Sequence, residues 1–213
     1  MVRTVWLLRH GMRQDFEDPD WPRSAPRPHD PPLTPSGLQM AAETAARLGN
    51  EPIDHVFASP YLRTLQTAAV IADRRGLRVN AEPGFGEWLN PLWFPAMPDI
   101  VTPEEASALF PCLDRDYAPY ADPAYPEKNE AVDMHVRVER ALRGVLRDYS
   151  GAVLIVGHGS TVRQAARTLG DPSAGIELGL CALNRFDRND DGWRLTLASV
   201  DHLTITEQWL RFQ

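Results

Sequence analysis

Two short apolar runs constrain this chain more than any other feature of it. Val5–Leu8 ends in Arg9, His10 and Gly11, and Val153–Val156 ends in Gly157, His158 and Gly159. An unbroken apolar run of this length suits a strand buried on both faces, the kind found in parallel sheets covered by helices. Further strand-like runs at His55–Ser59 and Arg78–Ala81 alternate with helical patterns. The alternation predicts an α/β fold around a mostly parallel sheet.

The helices carry their own punctuation. Thr34 is placed to N-cap a helix whose first position is Pro35 and whose stop is Gly49. Ser59, Pro60 and Gly76 repeat that grammar around a second helix, and Ser160 or Thr161 opens a third after Gly159. Cys181–Val200 reads as two strands joined by a polar turn at Asn189–Gly192, an antiparallel hairpin.

Two stretches break the pattern. Asp15–Pro32 is rich in Pro and Asp without periodicity and reads as a surface loop. Trp88–Asn129 gathers prolines and most of the aromatic residues, with a capping box at Thr102, Pro103 and Glu105. An insertion of this length and composition predicts a lid, at about 88–129, on a single domain spanning 1–213.

Several function classes are disfavoured. The chain has 213 residues, enough to bury roughly 70% of its unfolded surface. A net charge of −7 argues against a nucleic-acid surface, which demands clustered cations. No apolar stretch has the length of a membrane span, and no basic region followed by an apolar core opens the sequence, so the expectation is a cytoplasmic protein away from the membrane. Cys112 and Cys181 are lone and widely spaced, as reduced structural thiols are. His29, His55, His135 and His202 form no metal-ligand spacing, so no metal and no cofactor are expected. Asp187–Gly192 imitates the start of a calcium loop, but its twelfth position is Ala198 rather than a glutamate, and it reads as the hairpin turn.

In open α/β sheets ligands bind beyond the carboxyl ends of the strands. Both histidines sit at such ends, and Arg63 lies on the first turn of a helix that follows a strand. Helix N-termini present unpaired N–H groups and partial positive charge. Arg9, Arg13 and Arg63 add planar forks suited to phosphate oxygens. Converging strand ends would make an anion pocket holding two imidazoles, and Gly11 and Gly159 would let the backbone turn tightly beneath it.

Arg9-His10-Gly11, "SPYLRTLQTA" and "VGHGS", in that order, resemble the histidine phosphatase superfamily, or phosphoglycerate mutase-like fold. The resemblance implies a three-layer α/β/α sandwich and a covalent phosphohistidine mechanism without metal. "RHGMR", "DPPLTPSG", "IDHVFASPYLRTLQTA" and "RVNAEPGFGEWL" are similar to the branch of suppressor-of-T-cell-receptor-signalling and ecdysteroid-phosphate phosphatases. That branch often has alanines where Gly157 and Gly159 flank His158 here, so its substrate does not carry over. The mutases continue their first motif with Glu-Ser, whereas this chain reads Met12-Arg13-Gln14 and so favours a phosphatase.

The resemblance implies a metal-independent phosphomonoesterase. His10 would attack phosphorus as a neutral imidazole, with neighbouring arginines lowering its pKa. Arg9, Arg13, Arg63 and His158 would hold the phosphoryl oxygens, and Glu87 would act as general acid and then base. Phe85 and Trp88 are expected to raise the Glu87 pKa by desolvation. Trp88, Leu89, Trp93 and Phe94 would form an apolar wall for the leaving group, suited to an aryl, steroid-like or phosphotyrosine ester. The substrate class is a small phosphate monoester or a phosphopeptide. Alternatives are mutase-type phosphoryl transfer and a non-catalytic phosphate-binding module. The oligomeric state is not legible.

Overall fold

A computed structural model describes residues 1–170 and 175–205. Six strands form one sheet: β1 (Val2–Arg9), β2 (His55–Ala58), β3 (Val79–Ala81), β4 (Gly151–Gly157), β5 (Leu183–Asn189) and β6 (Gly192–Ser199). Their order is β3-β2-β4-β1-β5-β6. The pairs β2–β3, β2–β4 and β1–β4 are parallel, while β1–β5 and β5–β6 are antiparallel. The mostly parallel expectation therefore holds for four strands, and the C-terminal hairpin extends the sheet antiparallel at one edge.

The apolar run of β1 is buried on both faces, as its lack of alternation requires. Trp6 and Leu8 pack with Met40 of α3 (Pro35–Arg47), with Leu48 just past its end, and with Leu65 and Ile71 of α4 (Leu62–Arg75). Val5 and Leu7, one residue out of phase, pack with Val138 and Leu142 of α6 (His135–Asp148) and Ala165 of α7 (Gly159–Thr168). Each such fully buried aliphatic side chain contributes about 1.5–3 kcal/mol. The result is the expected α/β/α sandwich, with the strand ends opening between the helix layers.

Thr34 caps α3, accepting from Gly37 N at 3.1 Å, and Gly76 ends α4 in the left-handed conformation (φ 65°). The capping box at Thr102 and Glu105 opens α5 (Pro103–Leu109). The hairpin turns at Asn189–Gly192 as expected.

Other boundaries differ. The Asp15–Pro32 stretch holds two one-turn helices, α1 (Gln14–Glu17) and α2 (Trp21–Ser24). Tyr61, not Ser59, is the N-cap of α4, and His158 itself, not Ser160 or Thr161, precedes the first turn of α7. In both cases the hydroxyls expected to cap make other bonds instead. Both cysteines are free thiols. No helix among the described residues is long and apolar enough to cross a membrane.

Candidate active site

The parallel register pairs Arg9 with Gly157, so the residues that follow, His10 and His158, leave neighbouring strands side by side. His10 N donates to Gly157 O at 3.0 Å, and the two imidazole centroids lie 5.4 Å apart at 65°. Both rings are buried, at 1% and 0% exposure. Sheet spacing, rather than side-chain packing, sets their separation.

His10 Nδ1 lies 2.8 Å from Gly11 O. A carbonyl only accepts, so Nδ1 carries the proton and Nε2 keeps the lone pair. Burial, with Arg63, His158, Arg9 and Arg13 adding to it, holds the His10 pKa well below 6.5. Burial rather than the arginines is the largest cause, which corrects the sequence-based account while keeping the ring neutral. Gly11 is glycine because a Cβ there would meet Gly37 O at 2.7 Å. Gly159 has no such need, since its Cβ would touch only the Arg9 side chain at 3.7 Å, and neither glycine requires a positive φ.

Three arginines converge on the strand ends. Arg9 Nη1 donates to Leu178 O at 2.7 Å, while its buried Nε finds no acceptor. Arg13 lies 2.8 Å from Asp15 and over the Phe16 ring at 4.2 Å. Burial and the nearby Arg63 lower its pKa to about 10, which leaves it charged at neutral pH. Arg63 is 1% exposed and reaches His29 O, His158 and Glu87 with its terminal nitrogens, while its Nε is unpartnered. Buried guanidinium N–H groups without acceptors are poised for an anion, because leaving them unsatisfied is costly.

The α4 terminus that carries Arg63 has no local side-chain cap. Asp30, buried in the Pro-rich loop, accepts from Leu62 N at 2.7 Å and Val101 N at 2.8 Å, and lies 3.9 Å from Arg63 Nη1. The cap expected from Ser59 is thus supplied across the fold. Asp30 carries no sequence signal, being one acid among several in an aperiodic loop.

Ser59 Oγ instead lies 2.8 Å from His158 Nε2. His158 Nδ1 faces Arg63 Nη2 and Glu87 Oε2, each at 3.2 Å. Burial lowers the His158 pKa to about 4 although Glu87 opposes it, so the ring is neutral. With Glu87 ionised, Nδ1 donates to its Oε2 and Ser59 donates to Nε2. Glu87, which can only accept, thereby sets the tautomer, and the Ser59 hydroxyl, able to donate or accept, follows it.

Glu87 follows the Pro83–Phe85 turn and also accepts from Ser160 Oγ at 2.7 Å and Trp88 N at 3.0 Å. Burial pushes its pKa up, but His158, Arg63 and Ser160 outweigh it and hold the carboxyl well below 4.5. The expected upward shift is therefore reversed: apolar neighbours are present, but charges and hydroxyls touch the carboxylate itself. Ser160, two residues past His158, was legible only as a helix opener.

These groups border a cavity of about 570 Å³, lined by Arg9, Arg13, Arg63, Glu87, Trp93 and Phe94 among others. His10 and His158 are not among the lining residues; His158 touches one of them, Arg63. Of the four expected wall residues, Trp93 and Phe94 line the cavity. Trp88 meets Trp93 edge to face (centroids 5.1 Å, 72°) and donates to Glu127 O, and Leu89 is a core residue at 1% exposure; neither lines it. Leu89 N donates to Glu127 Oε2 and Leu89 O accepts from Glu127 N, two bonds that hold this residue inward. Among the described residues no group of three or more His, Cys, Asp or Glu is placed to hold a metal ion.

A relative from Drosophila melanogaster, ecdysteroid-phosphate phosphatase, is 27% identical over 91% of this chain, which accounts for 31% of that protein's length. The probable phosphoglycerate mutase GpmB of Enterobacter sp. (strain 638) is 30% identical over 89% of this chain and 86% of its own. The crystal structure of the ecdysone phosphate phosphatase from Bombix mori, in complex with tungstate, superposes with a TM-score of 0.75 at 24% identity, covering 92% of each chain. Residues 5–201 match the model of the histidine phosphatase superfamily (branch 1), and with its two histidines and three arginines at the strand ends the chain belongs to that family.

Proposed function

We propose that the chain is a phosphomonoesterase working through a phosphohistidine on His10. The observation that carries this reading is the His10 tautomer: Nδ1–H held by Gly11 O, a neutral ring, and two arginines, Arg9 and Arg63, with unspent Nε–H donors near it. His10 Nε2 forms a bond to phosphorus as the ester P–O bond breaks, and Arg9, Arg13, Arg63 and His158 hold the phosphoryl oxygens. Glu87 takes up a proton as the ester's anion binds beside it and gives that proton to the departing oxygen. As a carboxylate it then takes a proton from water, whose oxygen attacks phosphorus, breaks the P–N bond and releases inorganic phosphate. No step calls on a metal.

The substrate is a phosphate monoester, a phosphopeptide included, with an apolar or aryl leaving group set against Trp93 and Phe94, Phe16, Pro28 and Pro31, which share the cavity. Residues 88–129 serve as the lid that carries two of those side chains. The Drosophila relative, an ecdysteroid-phosphate phosphatase, supports this class.

Release of inorganic phosphate from p-nitrophenyl phosphate in excess EDTA tests the reading. The native chain is expected to turn over and folded His10→Ala to be inactive; equal activity of the two would overturn the mechanism. Similarity to GpmB along nearly the whole of both chains favours a second reading, phosphoryl transfer between hydroxyls. That reading predicts turnover primed by a bisphosphate, with phosphate retained on the organic product.

A further inference from the structure

Arg137 and Glu127 are buried, at 5% and 3% exposure, and neither belongs to the proposed chemistry. Arg137 Nε and Nη2 meet the two Glu127 oxygens at 2.6 and 2.9 Å. Its Nη1 donates to Pro83 O, Gly84 O and Gly86 O at 3.0–3.2 Å, and Nη2 donates to Glu87 O at 3.0 Å. One guanidinium thus gathers four carbonyls of the five-residue loop that ends in Glu87. A planar fork with five donors can do this; an ammonium cannot.

Glu127 completes the arrangement from the other side. Its Oε2 accepts from Leu89 N at 3.0 Å, its backbone N donates to Leu89 O at 3.0 Å, and its carbonyl accepts from Trp88 Nε1 at 3.0 Å. The chain leaves the sheet layer at Trp88 and returns at Glu127, so this pair ties the two feet of the insertion to the loop bearing the acid. Gly84 lies close enough to Ala141 of α6 that a Cβ would meet its Cβ at 2.5 Å, which presses the loop onto the helix carrying Arg137.

We propose that Arg137, locked by Glu127, is a positioning residue that holds Glu87 at the distance needed for proton transfer to the leaving oxygen. The proposal rests on Glu87 being the general acid. Misplacing a catalytic group by about 1 Å costs on the order of 10²-fold. The loss falls only on substrates that need the proton.

The test is the ratio of kcat/KM for p-nitrophenyl phosphate, whose leaving group departs without a proton, to that for benzyl phosphate, whose alkoxide does not. Both rates come from one preparation, so any unfolded fraction cancels. Arg137→Lys is expected to raise the ratio about 10-fold or more, within the roughly 10²–10⁴-fold that general acid catalysis supplies. Glu127→Gln should raise it in the same direction and serves in place of Arg137→Lys if that variant fails to fold. A ratio unchanged in both variants, while Glu87→Gln raises it, overturns the positioning role alone. An unchanged ratio in Glu87→Gln removes the acid role and this inference with it, and a native chain inactive on both esters removes the phosphatase reading itself.

Discussion

Glu87 Oε2 lies 3.2 Å from His158 Nδ1 and 3.5 Å from Arg63 Nη2, so the candidate acid is held as a carboxylate by the groups that would bind the phosphoryl oxygens. An arriving oxyanion competes for both partners and sets a like charge beside Glu87. Both effects raise its pKa. Glu87 is therefore expected to gain a proton when the anion binds, which places the acid form where it is used.

Titration with tungstate in buffers of different ionisation enthalpy measures this. The heat should depend on the buffer with the sign of proton uptake, approaching one proton near neutral pH, and Glu87→Gln should abolish the dependence. Equal buffer dependence in the variant would assign the proton elsewhere.

Asp30 gives a stability prediction. Asp30→Ala leaves Leu62 N and Val101 N without their acceptor, a loss expected at about 1–3 kcal/mol. Urea unfolding should show a lower midpoint at unchanged slope. Asp30→Asn keeps one acceptor oxygen and should lose less. Because the same carboxylate anchors the terminus bearing Arg63, the alanine variant should also lower kcat/KM for any phosphate ester. An unaltered midpoint would show that water replaces the carboxylate.

The two buried histidines set a pH dependence. Their folded pKa values lie below 6.5, that of His158 near 4, so between these limits the unfolded chain binds more protons. Stability then falls as pH drops below 6.5, with a slope approaching about 1.4 kcal/mol per pH unit for each histidine. The Glu87 contribution has a lower window: it is present above 4.5 and lost as pH falls through the depressed folded value. Denaturation midpoints at pH 5 and 7 should differ less in His158→Asn than in the native chain. A variant with the full native difference would remove the histidine as its source.

Adjacent residues on one loop should separate specificity from stability. Trp93→Ala and Phe94→Ala truncate the cavity lining and should raise KM for phenyl phosphate while leaving 3-phosphoglycerate nearly unchanged. Leu89→Ala removes a core side chain and should cost about 2–5 kcal/mol, with little change in the ratio between substrates. Equal effects on both substrates from all three variants would mean that the aromatic wall makes no contact with the leaving group.

What the sequence made legible follows the range of each interaction. The strands, the Thr34 cap and the hairpin turn are local, and they stand where periodicity and capping put them. His10, His158 and the arginines were legible because a strand register brings together positions far apart in the chain. Asp30, Ser59, Arg137 and Glu127 act across the fold, through partners no local pattern names. The sign of the Glu87 shift failed for the same reason. Its sequence neighbours are Gly86 and Trp88, but its carboxylate oxygens meet His158, Arg63 and Ser160.

The register of β1 against β4 sets the spacing of the two histidines by backbone hydrogen bonds alone, while the aromatic contacts come from a separate excursion of the chain between Trp88 and Glu127. The histidine spacing therefore does not depend on what lies between the excursion's two feet. The stretch between its two feet can be exchanged while Trp88, Leu89 and Glu127 keep the loop bearing Glu87 tied in place. Sheet registry acts here as an inherited constant around which selectivity is free to drift.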